Sequence, residues 1–487
     1  MVDAIVLLQN QKAKVLIGDK QQIKMVSVTI NSDPPGAIVD VVSTLINTYY
    51  VAKNGNDNNP GTEALPWLTI QKAADTLVAG DTVYVKQGTY NEKVIPLNSG
   101  TLGKYITYAP YPGHAVTITG SGIPLGLWDG LFEIRGRNYI KVSGFIIKNS
   151  KGVGIFVPKG PGWGHITNYG GSSYITIEKN YIYNTRNSGI MMQYGTNYII
   201  DNNEIELGNN APGERVEEII AIQNNVDVFE IKNNHIHHSG APTYGGEGID
   251  VKWNVSNGKI YNNHVHDTKS VGIYVDAWSG CYYWGDNSCL GHGYARDIDV
   301  YNNKVHNTGG AGIAISAETG GNVDRINVYN NIVYDCEYSI MVPAYADGGS
   351  PVGFIYDVYV INNVFYSNKG GATIGDYKTN LNNIVLSNNI FSQNEWWQIR
   401  VKTASYIQNI NVNHNLIDGF RNAAYEIKGT NYVESDPLFM NAAGADFHLK
   451  NMSPALNTGS PINAPINDYD GVFRPQGIAI DIGAYER

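Results

Sequence analysis

Short runs of alternating apolar and polar residues make up most of the chain, and an asparagine-rich turn separates one run from the next. Two examples are YITIEKNYIYN, which begins at residue 174, and DIDVYNNKVHN, which begins at residue 297. Alternation at every second residue is the period of a β-strand, and asparagine tolerates the left-handed backbone of a tight turn. Each phrase therefore predicts a strand, an asparagine turn and a second strand.

The phrase recurs at intervals of 23 to 40 residues, and a third short strand follows most copies, for example GIDVK at residue 248 and GIYVD at residue 272. Three short strands per repeat, with insertions of uneven length, predict an all-β fold: a right-handed parallel β-helix of about eleven coils. Asparagines stacked coil on coil can bond one another, so we expect a ladder. Its members are Asn180, Asn203, Asn234, Asn263, Asn303, Asn331, Asn363, Asn389 and Asn415.

The repeat resembles the pectate-lyase-like superfamily of β-helix proteins, which includes polysaccharide lyases, glycoside hydrolases and phage tailspike-like proteins. The segment YYVAKNGNDNNPG, from residue 49, resembles the usual start of such proteins, and DIGAYE near the end resembles a closing segment of secreted bacterial members. The resemblance implies a helix over about 70–77 that caps the first coil. The predicted parts are an N-terminal cap with the first coil, a β-helix and a C-terminal cap, at residues 48–92, 93–430 and 431–487.

Residues 1–47 do not fit the repeat, and VSVTINSDPPGAIVDVV resembles a small β-module found on surface proteins. We predict a separate β-module that attaches the β-helix to a docking partner. The alternative is a pair of strands that caps the β-helix. Self-association into a homo-oligomer is open at this point.

Composition agrees with a turn-rich β-protein, since 54 of the 487 residues are glycine, 34 are tyrosine and only 16% are charged. The net charge of −10 argues against a nucleic-acid partner. No apolar stretch is long enough to span a membrane. The first residues, MVDAIVLLQNQKAKV, lack the basic front and long apolar run of a secretory signal. We still predict an extracellular, cell-surface or virion-associated protein, whose signal was removed or which leaves the cell by another route.

The three cysteines have different predicted roles. Cys281 and Cys289 enclose the short loop CYYWGDNSC and are either a disulfide or two free thiols. Cys336 falls on a regular repeat and is expected to be a buried thiol. In the C-terminal cap, charged residues are expected to lock the closing segment and form a candidate Ca²⁺ site; these are Asp468, Asp470, Arg474 and Asp481.

Two neighbouring third strands carry unusual residues at their outward positions. Most copies have small, apolar or amide residues there, but one copy has Asp250 and Lys252, and the next has Tyr274 and Asp276. Side chains alternate across a strand and neighbouring coils lie about 4.8 Å apart. The four side chains are therefore expected to form one outward patch.

Aromatic residues are expected to wall this patch, since ligand sites combine aromatic surfaces with a few placed polar groups. Trp253 and Trp278 follow the two strands directly, and the longest insertion comes after Trp278. The predicted catalytic residues are Asp250, Lys252, Asp276, Glu247 and Tyr274. The predicted substrate-binding residues are Trp253, Trp278, Trp284, Tyr282, Tyr283, His292, Gln223 and Glu318. The expected partner is a polysaccharide or a cell-surface glycan.

Two reactions suit the patch. In a lyase, deprotonated Lys252 would remove a proton next to a uronic carboxylate, which requires a lowered lysine pKa and a cation for the carboxylate. In a hydrolase, two carboxyl groups flank the bond. Strand geometry places the backbones of Asp250 and Asp276 about 8 Å apart, and the residues that could replace one of them are Glu247, Glu318 and Asp286.

A different class of function is attachment. A virion spike, decoration or surface protein would bind glycans without turnover, and Lys252 and Asp276 would then form only a surface ion pair. Independently of the function, three histidines fall in one column on successive coils and are either a structural ladder or a metal site: His237, His266 and His306.

Overall fold

The structure is a computed structural model that describes the backbone of residues 4–9, 12–19 and 22–29 and all of residues 47–159, 170–240, 242–278, 293–344 and 352–487. The chain divides into two compact units, Met1–Leu45 and Ile46–Arg487. In the first unit, three strands form an antiparallel sheet in chain order, at Ala4–Gln9, Lys12–Asp19 and Gln22–Thr29. The motif SDPPGA lies outside the described residues.

The second unit is a coil of short parallel strands that form three stacks. The first stack contains the strands that precede the asparagine turns: Thr48–Val51, Thr82–Val85, Ile106–Pro110, Ile140–Ser143, Ser172–Glu178, the second halves of Ile190–Asp201 and Ile220–Lys232, Val255–Tyr261, Tyr294–Tyr301, Asn322–Tyr329, Phe354–Ile361, Asn380–Ser387 and Ile407–Asn413.

The second stack contains thirteen strands in the described part of the chain. This is more than the nine asparagine phrases, because the coils at the start and the end lack the phrase. These strands are Gly88–Tyr90, Val116–Thr119, Ile146–Lys148, Tyr181–Tyr183, Glu204–Glu206, His235–His237, His264–Thr268, Lys304–Thr308, Ile332–Tyr334, Val364–Tyr366, Ile390–Ser392, Leu416–Asp418 and Val433–Glu434.

The third stack carries the outward patch. Its strands are Gly130–Glu133, Val153–Val157, the first halves of Ile190–Asp201 and Ile220–Lys232, Ile249–Lys252, Ile273–Asp276, Ala311–Ser316, Tyr338–Val342, Gly370–Ile374 and Ile399–Val401. Three parallel stacks that wind around one core are a parallel β-helix, as the alternation predicts.

Branched aliphatic side chains fill the inside of the coil. In the third stack, the predicted inward residues Ile249, Val251, Ile273 and Val275 are all fully buried in one continuous core. β-Branched residues suit this position because they pack well on a pleated surface that is covered by the other two stacks.

The predicted asparagine ladder is present over all nine positions. In the first eight, the side-chain Nδ2 donates to Oδ1 of the asparagine on the next coil at 2.9–3.0 Å, and that same Oδ1 accepts the backbone N–H of the donating asparagine. The ninth, Asn415, accepts from Asn389 and donates to the carbonyl of Leu386. The residue before each ladder asparagine takes the left-handed backbone, for example Asn262 with φ 55°. The two asparagines of a phrase therefore have different roles: the first forms the turn, and the second forms the ladder.

Segments before and after the repeats pack against the coil in different ways. The predicted N-terminal helix is present at Ile70–Thr76, where Thr69 accepts the N–H of Lys72 and Ile70 packs into the core. The C-terminal segment, predicted as a cap, contains a short hairpin of Phe439–Asn441 and Asp446–Leu449 that packs along the outward side of the second stack, against strands of several successive coils. The described part of the chain also contains two short 3-10 helices, Glu318–Gly320 and Ala442–Gly444.

The charged residues of the C-terminal cap bind backbone and one another. Asp468 accepts the N–H groups of three residues, and Asp481 accepts those of Asn457 and Arg487. Arg474 donates to Glu486 at 2.9 Å, and Asp470 contacts His448. These bonds hold the closing segment in place.

Cys336 is buried, as expected, and burial raises the pKa of its thiol to about 12. Cys281 and Cys289 lie outside the described residues. Within the described ranges, no helix has the length and apolar character needed to cross a membrane.

The ladder yields a stability prediction. Asn263→Ala would remove donors to Ile231 and Asn303 and leave the N–H of Asn234 without its acceptor. Because unmade buried hydrogen bonds are costly, we expect a loss of about 2–4 kcal/mol in urea unfolding. The matched control is Asn262→Gly, at an exposed neighbour with φ 55° that glycine also adopts, and a change below about 1 kcal/mol is expected there. Equal losses for the two variants would contradict a role for the ladder.

Candidate functional site

Two neighbouring strands of the third stack bring the predicted patch together. Ile249–Lys252 pairs in parallel with Ile273–Asp276, and the register sets Asp250 beside Tyr274 and Lys252 beside Asp276. The side chains of these four residues point away from the aliphatic core because strand side chains alternate between faces. The tertiary structure thus produces the expected block, two residues wide and two coils high.

The patch is far less exposed than expected. Relative exposure is 2% for Asp250, 7% for Lys252, 5% for Tyr274 and 2% for Asp276. The expectation of a surface ion pair between Lys252 and Asp276 is therefore wrong. Neighbouring loops cover the outward face, and the four side chains form the floor of a cleft.

Lys252 lies among three carboxylates, two of which sequence reasoning missed. Its Nζ is 2.9 Å from Glu217 Oε2, 2.5 Å from Glu218 Oε1 and 3.4 Å from Asp250 Oδ2. All four side chains are buried. Lys252 is thus the cation of a buried acidic cluster, in contact with carboxylates from its own coil and the preceding one.

The protonation of Lys252 argues against its predicted role as a base. Burial alone would lower the pKa of the ammonium, but the charges of Glu217, Glu218 and Asp250 outweigh burial and raise that pKa well above its ordinary value. A general base must be unprotonated at the working pH. In this arrangement Lys252 neutralises carboxylates, and its raised pKa opposes the role of a base.

Three carboxyl groups of the cluster hold their protons more tightly than usual. Burial raises the pKa of Asp250 and Asp276 well above the ordinary range, and nearby carboxylates add to the rise while Lys252 opposes it. Burial raises the pKa of Glu217 to about 7, again against the effect of Lys252. Carboxyl groups with raised pKa values can act as general acids near neutral pH.

A third coil contributes Glu318, from the 3-10 turn after Ala311–Ser316. The Tyr274 hydroxyl donates a short hydrogen bond to Glu318 Oε1, and the Glu318 N–H donates to Asp276 Oδ1 at 3.4 Å. Burial first, and then the charges of Glu318 and Asp276, raise the pKa of Tyr274 well above its ordinary value. Tyr274 is therefore a donor that holds Glu318 beside Asp276.

These groups line a cleft of about 490 Å³. Aromatic residues form part of its wall, and Lys252 Nζ lies 5.3 Å from the ring centre of Trp278. The Arg215 guanidinium lies 4.1 Å from the ring centre of Tyr244. The remaining lining residues are Trp128, Val216, Glu217, Glu218, Gly245, Glu247, Asp250, Tyr274, Asp276 and Glu318.

Among the other predicted site residues, those that the structure describes lie at different distances from the cleft. Glu247 lines the cleft, as predicted for a member of the site. Trp253 packs edge-on against Trp278 at 5.8 Å, and Gln223 is buried beside Lys252 with its Nε2 3.5 Å from Met191 Sδ; neither lines the cleft. The predicted wall residues of the long insertion lie outside the described residues: Tyr282, Tyr283, Trp284, Asp286 and His292.

The repeat contains a signal for Glu218, one of the residues that sequence reasoning missed. The backbone N–H of Ile219 donates to the carbonyl of Glu247, so Glu218 occupies on its coil the position that Glu247 occupies on the next. Comparing the positions before the third strands would have found it. Trp128, Arg215 and Tyr244 come from loops whose approach to the cleft no repeat predicts.

The histidine column lies on the second stack and not in the cleft. His237, His266 and His306 pair in register on successive strands, as predicted, and their rings stack. Burial, followed by repulsion from neighbouring histidines, lowers the pKa of His306 to about 4 and that of His264 in the adjacent column to about 3. The imidazoles of His264 and His306 are therefore neutral at physiological pH.

Comparison with known families places the chain among β-helix proteins. Residues 49–262 match a family described as Pel9A-like, right handed beta helix region, and residues 295–469 match one described as Disaggregatase related. The strand Ile249–Lys252 falls within the first match, and Ile273–Asp276 falls between the two.

The relatives include a match over most of the chain and a local one. The chain is 27% identical over 471 residues to the protein YwoF of Bacillus subtilis (strain 168), across 83% of this chain and 91% of YwoF. It is 35% identical over 77 residues to the pectate lyase PEL9 of Emericella nidulans, across 15% of this chain and 19% of that enzyme.

Solved structures show the same fold. XylC in complex with xylose superimposes with a TM-score of 0.58 at 15% identity, over 90% of this chain and 98% of XylC. The pectate lyase Pel9A superimposes with a TM-score of 0.51 at 15% identity, over 90% of this chain and 96% of Pel9A. These superpositions confirm the predicted right-handed parallel β-helix fold. The resemblance to pectate-lyase-like proteins is supported by the Pel9A-like family match and the local match to PEL9.

The burial of Lys252 among carboxylates predicts that its removal lowers the free energy of unfolding strongly. Lys252→Met would leave three buried carboxylates without their cation, so we expect a loss of about 3–5 kcal/mol in urea unfolding at neutral pH. Lys259→Ala, at an exposed lysine on the next strand, is the control and should change stability by less than about 0.5 kcal/mol. A loss below about 1 kcal/mol for Lys252→Met would mean that the cluster does not need this cation.

The raised pKa of the Glu217 carboxyl should make the unfolding free energy depend on pH. Its pKa rises from the ordinary 4.5 to about 7 in the folded chain, so between these pH values the folded state binds more protons than the unfolded state. The unfolding free energy should therefore fall as pH rises through this window, by about 1.4 kcal/mol per unit of pKa difference.

Urea unfolding at a series of pH values tests this dependence. Glu217→Gln removes the titrating group, so its stability should fall less steeply between pH 4.5 and about 7 than that of the wild type. Glu395→Gln, at an exposed position, should keep the wild-type slope. The same slope in the wild type and in Glu217→Gln would show that Glu217 does not carry the effect.

Proposed function

We propose that this chain, a right-handed parallel β-helix of the pectate-lyase-like type, is a glycoside hydrolase that cleaves a glycan in the cleft on the third stack. The observation that carries the proposal is the pair Asp250 and Asp276, two buried carboxyl groups with raised pKa values on neighbouring strands of one cleft. Glycoside hydrolysis needs two carboxyl groups across the scissile bond, and one of them must carry a proton.

The surroundings of the two aspartates favour different roles. Asp276 is beside Glu318, whose charge helps to keep the Asp276 carboxyl protonated, so we assign Asp276 as the general acid. Both aspartates have raised pKa values, but the largest charge effect on Asp250 is that of the Lys252 ammonium 3.4 Å away, which lowers its pKa, whereas the largest charge effects on Asp276 come from carboxylates. Asp250 is therefore the member of the pair that ionises more readily, and we assign it as the carboxylate that acts on the anomeric carbon or on water.

The proposed reaction balances with water alone. Asp276 donates its proton to the glycosidic oxygen as the bond from that oxygen to the anomeric carbon breaks. Water supplies the hydroxyl that becomes attached to the anomeric carbon, and its remaining proton restores the acid through the carboxyl pair. Tyr274 and Glu318 position Asp276 through their hydrogen bonds.

The charge of the cleft supports a neutral glycan as substrate. Six carboxyl groups line it, against the two cations Lys252 and Arg215. A uronic carboxylate would meet repulsion there, because like charges are poorly screened in a buried site. The carboxylates are Glu217, Glu218, Glu247, Asp250, Asp276 and Glu318.

Buried oxygens in the cleft also support a ligand rich in hydroxyl groups. Among the described residues, no hydrogen-bond donor reaches Asp250 Oδ1, Glu218 Oε2 or Glu247 Oε2. Buried acceptors normally have a partner, and sugar hydroxyls are suitable donors. The rings of Trp128, Trp278 and Tyr244 would offer apolar surface to the sugar.

Two other functions remain outcomes of the test. The local match to the pectate lyase PEL9 favours a lyase, although the raised pKa of Lys252 opposes it as the base. The separate unit Met1–Leu45 favours an attachment role, in which the cleft binds an extracellular glycan without turnover.

A substrate panel separates these functions. Neutral oligosaccharides and polysaccharides, together with pectate, are incubated with the full chain, with and without added Ca²⁺. Release of reducing ends without the ultraviolet absorbance of an unsaturated product is expected. Unsaturated products would establish a lyase, and glycan binding without any product would establish attachment; either result would overturn the hydrolase proposal.

Variants test the assigned residues. Asp250→Asn and Asp276→Asn should each lower kcat at least about 100-fold on the substrate that the panel identifies, because each removes a group needed for proton transfer or attack. Asp299→Asn, at an aspartate on the first stack outside the cleft, should retain wild-type activity. Wild-type turnover in both cleft variants would exclude this pair as the catalytic carboxyl groups.

A further inference from the structure

A cluster of histidines lies on the outward face of the second stack, away from the proposed catalytic cleft. It occupies two columns on three successive strands, at His235–His237, His264–Thr268 and Lys304–Thr308. One column contains His235 and His264, and the other contains His237, His266 and His306. We call these five residues the histidine cluster.

The imidazoles meet through their ring nitrogens along the diagonals between the columns. His235 Nε2 lies 2.8 Å from His266 Nε2, and His264 Nε2 lies 2.9 Å from His306 Nε2. One ligand atom from each of His235, His264 and His266 falls within 4.8 Å of the other two. All three side chains are half-buried, so solvent and ions can reach them.

A carboxylate orients the central histidine. His266 Nδ1 lies 2.7 Å from Asp267 Oδ2, and a carboxylate at this distance accepts the Nδ1 proton. The lone pair of His266 then lies on Nε2, which points at His235 Nε2. Metal-binding histidines commonly have such a carboxylate behind them, because it fixes the tautomer and the ring orientation.

The spacing of the His235 and His266 nitrogens is compatible with right-angled coordination of a metal. Two imidazole nitrogens bound at right angles to one metal, at about 2.0–2.1 Å, lie about 2.9 Å apart, whereas tetrahedral ligands lie about 3.4 Å apart. The 2.8 Å between His235 Nε2 and His266 Nε2 is the length of a hydrogen bond between the two rings, and it lies close enough to the first value that both nitrogens could reach one metal with little movement. Right-angled nitrogen ligands are typical of Cu²⁺ and Ni²⁺.

We propose that His235, His264 and His266 form a binding site for one divalent late transition metal with right-angled coordination, Cu²⁺ or Ni²⁺, with Asp267 as the residue that positions His266. Binding requires His235 to carry its proton on Nδ1 and not on Nε2. This change of tautomer releases no proton, and it replaces the contact between the two Nε2 atoms with two bonds to one metal.

Calorimetric titration of the untagged full chain tests the site, after treatment with a chelator and dialysis. Cu²⁺ and Ni²⁺ are expected to bind with one ion per chain. The Cu²⁺ form should have an electron paramagnetic resonance spectrum of tetragonal copper with coupling to nitrogen. No binding, or a copper spectrum without nitrogen coupling, would overturn the proposal.

Variants locate the ion. His235→Ala and His266→Ala should each weaken Cu²⁺ binding at least about 100-fold, and Asp267→Asn, which keeps all three imidazoles, should weaken it about 10–100-fold. The matched control is His414→Asn, since His414 is a turn histidine with φ 48° at a position that other coils fill with asparagine, and its affinity should be that of the wild type.

Circular dichroism of each variant separates loss of the site from loss of the fold. Folded His235→Ala and His266→Ala chains that bind Cu²⁺ with wild-type affinity would show that the histidine cluster is a structural ladder. If either histidine variant fails to fold, Asp267→Asn decides: an unchanged affinity there overturns the role of Asp267 and with it the site.

Discussion

Coil-on-coil stacking in parallel register is the constraint on which the rest of this structure depends. Each residue has the equivalent residue of the next coil beside it, at about the spacing of paired strands. Asparagine satisfies this constraint well, because its amide donates to the next coil and accepts from the previous one, as Asn263 does between Asn234 and Asn303. Tyr261, Tyr301 and Tyr329 satisfy it by stacking rings at 4.8 Å.

The same register makes ionisable groups costly and chemically useful. Asp250 and Asp276 come from neighbouring coils, and Glu217 and Glu218 come from the coil before them, so carboxyl groups accumulate in one covered space. Their mutual repulsion and burial raise pKa values, and Lys252 compensates for only part of the charge. A β-helix can thus create a proton-holding carboxyl pair by repeating acidic residues at equivalent positions.

Where stacked columns contain histidine, register has a different effect. His235 and His264 in one column face His266 and His306 in the next, and the diagonal contacts repeat from coil to coil. The stack sets the ring spacing, and Asp267 sets which nitrogen of His266 carries the proton. The proposed catalytic cleft and the proposed metal site therefore both follow from register, on two different faces of one coil.

The alternation of apolar and polar positions in the sequence was enough to determine the β-helix and its inward residues, such as Val251 and Val275. The repeat determined the nine-position asparagine ladder and the outward patch of Asp250, Lys252, Tyr274 and Asp276. All of these features depend only on a local period and on one repeat. Only the tertiary structure decided how deeply the cleft is buried. Glu217, Trp128 and Tyr244 approach it from loops with no repeat, and loop paths depend on packing between residues distant in sequence. That burial, which no single strand encodes, makes Lys252 a buried counter-ion and not a base, because a protonation state depends on all surrounding charges and on the exclusion of water.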